Sequence, residues 1–153
     1  PTDQSLIVDS GYDTVEVLNV SSHTLDREWV LDSGCSFHMC PHRESFLELV
    51  EKVEGDVLLG NNKRCKVEGR GSVLMELDDY SIITLLDVRW VPNLQRNLIS
   101  LGVLDQKGYT FRSESGTIKV SKGSRTIIKG SLVNGLYVLN DMTHSRQLGS
   151  VYT

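Results

Sequence analysis

The sequence lacks the features that would place it in a membrane or in a disulfide-bonded scaffold. Its longest apolar stretches run for only a few residues, which is too short to span a bilayer. The N-terminus does not have the basic-then-apolar form of a secretory signal. Three cysteines, an odd number without framework spacing, favour a reducing compartment. We therefore expect an intracellular chain that makes no contact with a membrane.

The chain also has no run of basic residues. Sixteen Lys and Arg stand against twenty Asp and Glu, giving a net charge of -4, and the basic residues are scattered along the sequence. That distribution predicts no direct contact with nucleic acid. With 153 residues, 39% hydrophobic and 24% charged, the chain has the composition of one globular domain with tails.

Long helical periodicity is scarce, and short strand-like runs dominate. Turn residues separate these runs at Gly60-Asn61-Asn62, Asp78-Asp79, Ser115-Gly116 and Asn134-Gly135. The predicted strands are Thr14–Val20, Trp29–Leu31, Val57–Leu59, Lys66–Val67, Val73–Leu77, Ile82–Leu86, Tyr109–Phe111, Thr117–Val120, Thr126–Ile128 and Leu136–Leu139. One helix is predicted over Leu98–Lys107, with Asn97 as its N-cap and Gly108 at its end. The pattern favours a small barrel or sandwich closed by a short helix.

The most informative motif is Asp32-Ser33-Gly34, directly behind the apolar run Trp29-Val30-Leu31. An acid that ends a hydrophobic strand and is followed by a hydroxyl and a glycine is how an aspartic protease presents its catalytic carboxylate. Asp-Ser-Gly is also an ordinary turn sequence, so a catalytic interpretation of the tripeptide depends on the residues around it.

A second feature is the alternation of Gly69 and Gly71 in V-E-G-R-G-S-V-L-M-E-L, residues 67–77. Glycines so placed would let a hairpin bend and bring its backbone close to another chain, as a flap over a peptide cleft requires. The alternative is a β-bulge or twisted hairpin without a catalytic role.

Cys35, His38, Cys40 and His42 form C-x2-H-x-C-x-H, which raises the question of a zinc site. Four ligands within eight residues cannot easily converge on one tetrahedral ion, so we expect no metal and no cofactor. A cysteine-protease pair of Cys35 and His38 is not favoured either, because residues only three apart on a turn leave no room for a third group that would orient the histidine. We favour the interpretation that Cys35 and Cys40 are small apolar side chains packed beneath the loop that follows Asp32. Serine hydrolase motifs are absent from the sequence.

Taken in order, three segments resemble retroviral-type aspartic proteases, most closely those of copia-type LTR-retrotransposon polyproteins from plants. They are W-V-L-D-S-G-C-S-F-H-M-C-P at 29–41, K-V-E-G-R-G-S-V at 66–73 and L-L-D-V-R-W-V-P-N-L-Q-R-N-L-I-S-L-G-V-L at 85–104. Retroviral members usually have Gly after the two apolar residues where this chain has Ser100. The resemblance implies an all-β, retropepsin-like closed β-barrel with one short helix and a flap hairpin.

The same resemblance assigns roles and boundaries. It implies that Asp32, Ser33 and Gly34 are catalytic and that substrate is bound by Cys35, Gly69, Arg70, Gly71 and Leu98. It divides the chain into an N-terminal spacer at 1–27, a protease core at 28–112 and a β-rich segment at 113–153 resembling the pre-integrase region. Walls of the substrate cleft are expected at Leu31, Val67, Val73 and Leu98, although all four could equally be core.

The segments that carry the resemblance contain one Asp-Ser-Gly, at residues 32–34, whereas the reaction needs two carboxylates that share one proton. The same tripeptide also occurs at Asp9-Ser10-Gly11, ahead of those segments. A C2 homodimer would supply the second Asp32, and the resemblance implies that Tyr109–Phe111 joins the sheet between the subunits. The expected function is an aspartic endopeptidase that cleaves a retrotransposon Gag-Pol polyprotein, itself included, in the cytoplasm inside virus-like particles. The alternative is a catalytically silent or autoinhibited dimeric β-domain that acts as a binding module.

Overall fold

The computed structural model describes residues 27–60 and 62–142, and this part of the chain is mostly β. The predicted strand Thr14–Val20 and nearly all of the predicted spacer lie outside the described residues. The strands are β1 (Trp29–Asp32), β2 (Met39–Cys40), β3 (Phe46–Val50), β4 (Asp56–Leu58), β5 (Arg64–Lys66), β6 (Gly69–Glu76), β7 (Ile82–Trp90), β8 (Asn97–Ser100), β9 (Thr110–Glu114), β10 (Thr117–Lys122), β11 (Arg125–Val133) and β12 (Leu136–Leu139). A 3-10 turn, Arg43–Ser45, precedes β3, and helix α1 (Leu101–Gln106) follows β8. Within residues 27–60 and 62–142, the expectation of a mostly β fold with one short α-helix is confirmed.

Two of the predicted hairpin turns have left-handed backbone at both central residues. Between β9 and β10, Ser115 has φ 53° and Gly116 has φ 80°; between β11 and β12, Asn134 has φ 51° and Gly135 has φ 83°. Positive φ at both positions gives the turn a twist that matches the flanking strands, which is why Asn and Gly favour such turns. The sequence therefore located these two turns correctly.

Ten of the strands form one sheet, in the order β3-β6-β7-β2-β8-β1-β12-β11-β10-β9. Strands β4 and β5 pair separately as a two-stranded hairpin. The sheet ends at β3 on one side and at β9 on the other, and these two strands do not pair with each other. The expectation of a closed barrel is therefore wrong for the described residues: the sheet is open.

The open sheet still encloses one main core. Strands β6 and β7 lie near one end of the sheet and β10 and β11 near the other, yet Val73, Leu85, Ile118 and Ile128 belong to a single buried cluster. Their inner faces can meet only if the sheet folds over on itself. An antiparallel bridge between Leu77, just after β6, and Asp141, the second residue after β12, connects these two regions. Burial of a shared apolar face, rather than a closed hydrogen-bond ladder, thus holds the two halves together.

The predicted helix Leu98–Lys107 is wrong at its start. Asn97–Ser100 is extended and pairs in parallel with Trp29–Asp32, and the helix begins at Leu101. Ser100 rather than Asn97 is the N-cap, because its side chain accepts a hydrogen bond from the Val103 N–H. Across residues 27–60 and 62–142 we find no helix with the length and apolar character that a membrane crossing requires.

Gly69 and Gly71 do not form the bend of a hairpin. Both lie within β6, between β3 and β7, and the β6–β7 turn comes later in the chain, around Asp79 and Tyr80. The sheet register shifts between Gly71 and Val73. A Cβ atom on Gly71 would lie 1.9 Å from the Glu48 carbonyl oxygen. The bend expected at these glycines is therefore absent, and the register shift fits the alternative of a β-bulge. A flap role for this segment stays a prediction.

The predicted boundary at residue 112 falls inside β9. Strand β12 continues the sheet next to β1, because Val30 pairs with Val138 and Leu31 with Tyr137. The core and the segment after it therefore share one sheet, although a separate function for residues 113–153 stays a prediction. The strand expected between subunits, Tyr109–Phe111, overlaps β9, which is the last strand of the sheet.

Candidate active site

Asp32 is the last residue of β1, a strand whose four residues are all buried. It pairs with Ser100 at the end of the parallel strand β8 and is itself only 6% exposed. The Gly34 N–H donates a hydrogen bond of 2.7 Å to Asp32 Oδ1, as in an Asx-type turn. This bond fixes the carboxylate where the chain leaves the sheet, so the apolar run before it and the glycine after it both orient the acid.

Ser100 ties the Asp32 loop to the start of α1. Its hydroxyl donates to the Cys35 carbonyl oxygen at 2.7 Å and accepts the Val103 N–H at 3.1 Å. Its backbone N–H donates to His38 Nδ1 at 2.9 Å. One residue thus holds the loop after Asp32 at two points and caps the helix. The sequence does not identify this role, because Ser100 there stands only as a departure from the usual glycine.

His38 is a structural histidine. It is 2% exposed, and burial, together with the charge of Lys107, lowers the pKa of its imidazole to about 4. The ring is therefore neutral at physiological pH, as it must be for Nδ1 to accept the Ser100 N–H. An Nδ1 engaged in this way cannot serve as the base of a Cys35–His38 pair, which argues against a cysteine-protease site.

The three cysteines are free thiols in apolar surroundings. Cys40 and Cys65 are buried, and burial raises the pKa of the Cys40 thiol to about 11. Cys35 Sγ lies 3.8 Å from the Asp32 carbonyl oxygen, to which it donates a weak hydrogen bond. Within the described residues, no three His, Cys, Asp or Glu side chains come together as metal ligands. The cysteines act here as small packing residues.

A second apolar cluster lies beside the Asp32 loop, beneath the β4–β5 hairpin. Its buried members are Met39, Cys65, Val67 and Val91, and Cys35, Phe37, Val57, Leu59, Leu94 and Leu98 pack against them. The cluster joins the hairpin to the loop that follows Asp32 and to β8. Arg89 stacks on the outside of this loop, with its guanidinium carbon 4.1 Å from the centre of the Phe37 ring.

The strands and the turn of the β4–β5 hairpin were predicted from the sequence, but their position beside the site was not. The Leu59 N–H donates to the Lys63 carbonyl, and the Asn62 N–H, from a residue with φ 65°, donates to Leu59. The sequence signal for this hairpin is the turn Gly60-Asn61-Asn62 between two short predicted strands. Nothing in that signal connects the hairpin with Asp32. Of the hairpins described, this one covers the cluster next to Asp32.

The structure gathers some of the predicted site residues and separates others. Ser33 is exposed and Gly34 partly so, while Cys35 and Leu98 both pack on the second cluster. Gly69, Arg70 and Gly71 lie in β6, as described above. Arg70 forms ion pairs with Glu54 at 2.9 Å and with Asp87 at 3.3 Å. Contact between these residues and a substrate stays a prediction.

Leu31, Val67 and Val73, which were expected as cleft walls or core, are all buried. Leu31 and Val73 belong to the main core, and Val67 belongs to the second cluster. A groove of about 390 Å³ lies at the other end of β1 from Asp32, where it is lined by Trp29 and Asn97, the first residues of β1 and β8. Asp32 and Ser100 end those strands, so this groove is separate from the motif.

The fold and the site define a domain of retroelement Pol polyproteins. Residues 29–109, more than half of the chain, match the family described as "Pol polyprotein, beta-barrel domain", and the chain belongs to this family. The name of the family describes a barrel, whereas the sheet of this chain is open.

Two relatives place the chain among transposon proteins. It is 36% identical over 115 residues to the retrovirus-related Pol polyprotein from transposon TNT 1-94 of Nicotiana tabacum; the match covers 75% of this chain and 9% of the relative. It is 33% identical over 78 residues to the putative transposon Ty5-1 protein of Saccharomyces cerevisiae, covering 51% of this chain and 50% of that protein. The chain thus spans at most half the length of these relatives. No solved structure matches it. A retrotransposon Pol origin is confirmed.

Proposed function

We propose that this domain is an aspartic endopeptidase that cleaves a retrotransposon Gag-Pol polyprotein, including the polyprotein that contains it. The observation that carries the proposal is the buried carboxylate of Asp32 at the end of β1, opposite Ser100 and oriented by the Gly34 N–H. A buried acid at the end of a strand, held by a backbone donor in a turn that leaves it near the surface, is suited to activating a water molecule.

The reaction requires a second carboxylate. One acid, ionised, takes a proton from the attacking water, while the other, protonated, donates a hydrogen bond to the scissile carbonyl. Residues 27–60 and 62–142 contain one Asp-Ser-Gly, and the other, Asp9-Ser10-Gly11, lies outside the described residues. In our proposal the second acid is Asp32 of another copy across a two-fold axis. Two carboxylates so close share one proton, and their titration belongs to the pair. Activity therefore has a bell-shaped pH dependence on the acidic to near-neutral side.

Substrate binding is assigned to the surface between the Asp32 loop and the β4–β5 hairpin. Cys35 and Leu98 lie on the second cluster, which supplies apolar side chains for a peptide whose backbone is extended. The hairpin lies over this cluster and is the lid in our proposal, the role that the sequence gave to Gly69 and Gly71. The polyprotein context fits a polypeptide substrate. We place the homodimer in the cytoplasm, inside virus-like particles.

The direct test compares wild-type protein with Asp32→Asn in the cleavage of peptides from the parent polyprotein between about pH 4 and 7. The wild type cleaves, and the variant loses activity by about a thousandfold or more, because an amide can neither take nor donate the required proton. Asp105→Asn, the same change on the exposed side of α1, keeps full activity.

Sedimentation and circular dichroism of the three proteins check that the substitutions leave the assembly and the fold intact. Failure of the folded wild type to cleave any such peptide across this pH range would refute the proposal. That outcome would favour the silent binding module instead.

A further inference from the structure

The strands after the helix carry a charge opposite to that of the whole chain. Residues 107–133, which contain β9, β10 and β11, hold six of the sixteen basic residues and one of the twenty acidic residues. The chain as a whole has a net charge of -4. The excess of positive charge is thus local to one three-stranded part of the sheet.

The strand register aligns three of these basic residues. Lys119, in the middle strand β10, pairs directly with Arg112 of β9 on one side and with Lys129 of β11 on the other. Directly opposed residues point to the same face of a sheet, and neighbouring strands lie about 4.8 Å apart. All three side chains are exposed. We call Arg112, Lys119 and Lys129 the basic row.

The charges in the basic row are not compensated by ion pairs within the described residues. No salt bridge described for residues 27–60 and 62–142 includes any of the three. Like charges placed directly opposite each other destabilise a sheet, so this arrangement has a cost. An external anion bound along the row would offset this repulsion.

Two acids lie at the margin of the row. Glu114 follows Arg112 by two residues on the same strand, and Asp79 of the β6–β7 turn is near enough for Lys129 to help lower its pKa. The Asp79 carboxylate already accepts hydrogen bonds from the backbone and side chain of Ser81, which are the main causes of that lowered pKa. Neither acid lies between the three cations.

Hydroxyl groups flank the row on both sides. Thr110, Ser121 and Thr126 form the next row toward one end of the strands, and Glu114, Thr117 and Ser131 form the row toward the other. The apolar side chains Ile118 and Val120 alternate with these positions and are buried on the opposite face. The exposed face therefore offers cations, hydroxyls and the one carboxylate of Glu114, but no apolar pocket.

We propose that this face binds single-stranded nucleic acid through its phosphates. Lys, Arg, Ser and Thr are the side chains that contact phosphate, and a linear row of cations follows a charged backbone. An acidic polypeptide would meet no apolar site for its other side chains here, which favours nucleic acid. Binding of this kind is independent of base sequence and does not depend on the protease proposal.

The inference differs from the expectation drawn from the scattered basic residues. Arg112, Lys119 and Lys129 lie seven and ten residues apart in the sequence, so no basic run is visible there. Two hairpin turns bring them side by side. The positive surface is thus a product of strand register.

The test measures binding of the full chain to a fluorescein-labelled single-stranded RNA of about 20 nucleotides, and to DNA of the same sequence, by fluorescence anisotropy at 50 to about 200 mM salt. Wild type binds both at 50 mM salt, more weakly as salt rises. The triple variant Arg112→Gln, Lys119→Gln, Lys129→Gln binds at least about tenfold more weakly. The slope of log affinity against log salt concentration falls by about 2, since each single-strand phosphate contact contributes roughly 0.7.

A matched control makes the same charge change elsewhere. Lys52→Gln, Arg64→Gln, Lys66→Gln removes three exposed cations near or within the β4–β5 hairpin and changes the affinity by less than about threefold. Equal losses in the two variants would attribute binding to net charge and overturn the proposal. So would absence of wild-type binding at 50 mM salt.

Two further measurements complete the test. Unlabelled RNA displaces the probe at far lower concentration than polyglutamate; equal displacement by both would point to an acidic polypeptide and overturn the inference. The single variant Lys119→Gln removes the middle charge of the basic row, so the midpoint of thermal unfolding should stay unchanged or rise. A lower midpoint for this variant would mean that the row has a structural role, which contradicts a surface retained for binding.

Discussion

Ser100 shows how one side chain can replace the glycine usual at this position in retroviral members. Its backbone, with φ -80° and ψ 114°, is ordinary extended chain, so the position does not require glycine. The hydroxyl instead holds the Cys35 carbonyl and caps α1. A residue that departs from the common motif therefore has a specific structural role next to Asp32.

Ser100→Ala should destabilise the domain by about 2 kcal/mol, because it removes the helix cap and the hydrogen bond to the Cys35 carbonyl. Ser100→Thr keeps the hydroxyl and should recover most of the loss, at some cost in packing. Urea unfolding at pH 7 measures both free energies. Equal stability of Ser100→Ala and wild type would contradict the role assigned to this hydroxyl.

His38 makes the stability of the domain depend on pH. Its pKa is about 4 when folded and near 6.5 when unfolded, so the unfolded state alone binds a proton between these values. The His38 contribution is fully present above pH 6.5 and is lost as pH falls toward 4, by about 3 kcal/mol in total.

Urea unfolding at pH 7 and 4.5 measures this contribution, with His38→Gln as the comparison. The Gln side chain oxygen can accept the Ser100 N–H but does not titrate, so the variant should lose about 2 to 3 kcal/mol less than wild type between the two pH values. Parallel losses in the two proteins would show that His38 is not responsible.

At the scale of elements, β6 is packed differently from the flap expected at its glycines. The glycines of β6 allow close approach to β3, whereas β4 and β5 form a separate two-stranded hairpin, to which our proposal gives the lid role. The physical distinction is packing: Gly71 has a carbonyl oxygen where a side chain would be, while β4 and β5 join the rest of the domain through the second cluster.

Gly71→Ala should destabilise the domain by more than about 3 kcal/mol, because a Cβ 1.9 Å from the Glu48 carbonyl forces the backbone of two paired strands apart. Gly102→Ala is the control: its Cβ would meet only Ser100 Oγ at 3.7 Å, and the change should stabilise α1 by about 0.5–1 kcal/mol. Chemical unfolding of both variants tests the difference in sign. A tolerated Gly71→Ala would mean that β3 and β6 can separate freely.

For the hairpin, Val57 and Leu58 provide a matched pair. Val57 packs on the second cluster, and the next residue, Leu58, is 43% exposed. Val57→Asp should release the hairpin and lower kcat/KM for peptide cleavage at least about tenfold, whereas Leu58→Asp should change it less than about threefold. Hydrogen exchange of the hairpin amides should rise only in Val57→Asp. Similar kinetics for the two variants would refute the lid assignment.

At the scale of the whole molecule, the proposed enzyme exists only as a pair of chains. The described chain presents one Asp32 carboxylate at the end of one strand, and the proposed chemistry needs two. The open sheet also leaves β3 and β9 as end strands, and an exposed strand edge is a surface on which another chain can pair.

Mixing wild type with Asp32→Asn tests the pair directly. If chains exchange freely and both Asp32 residues are needed, an equal mixture retains about one quarter of the wild-type activity per total chain, and independent active monomers retain about one half. Peptide cleavage at constant total protein distinguishes the two values. Specific activity should also fall on dilution as dimers separate.

Local sequence signals predicted the local structure well. The turns at Ser115-Gly116 and Asn134-Gly135 and the buried strand ahead of Asp32 were evident, because positive φ and apolar runs depend on neighbouring residues. The helix start was missed because β8 pairs with β1, sixty-eight residues earlier in the chain. The β6 glycines were misread because their reason is the Glu48 carbonyl on another strand.

By itself, the sequence determined the β class, two hairpin turns, the retrotransposon resemblance and Asp32 as the candidate acid within it, all of which depend on residue types and their order. Tertiary structure decided which side chains meet. It opened the sheet, set Ser100 opposite Asp32, laid the β4–β5 hairpin on the second cluster and aligned the basic row. These outcomes depend on long-range pairing and on the burial of a shared core, which the order of residues along the chain does not display.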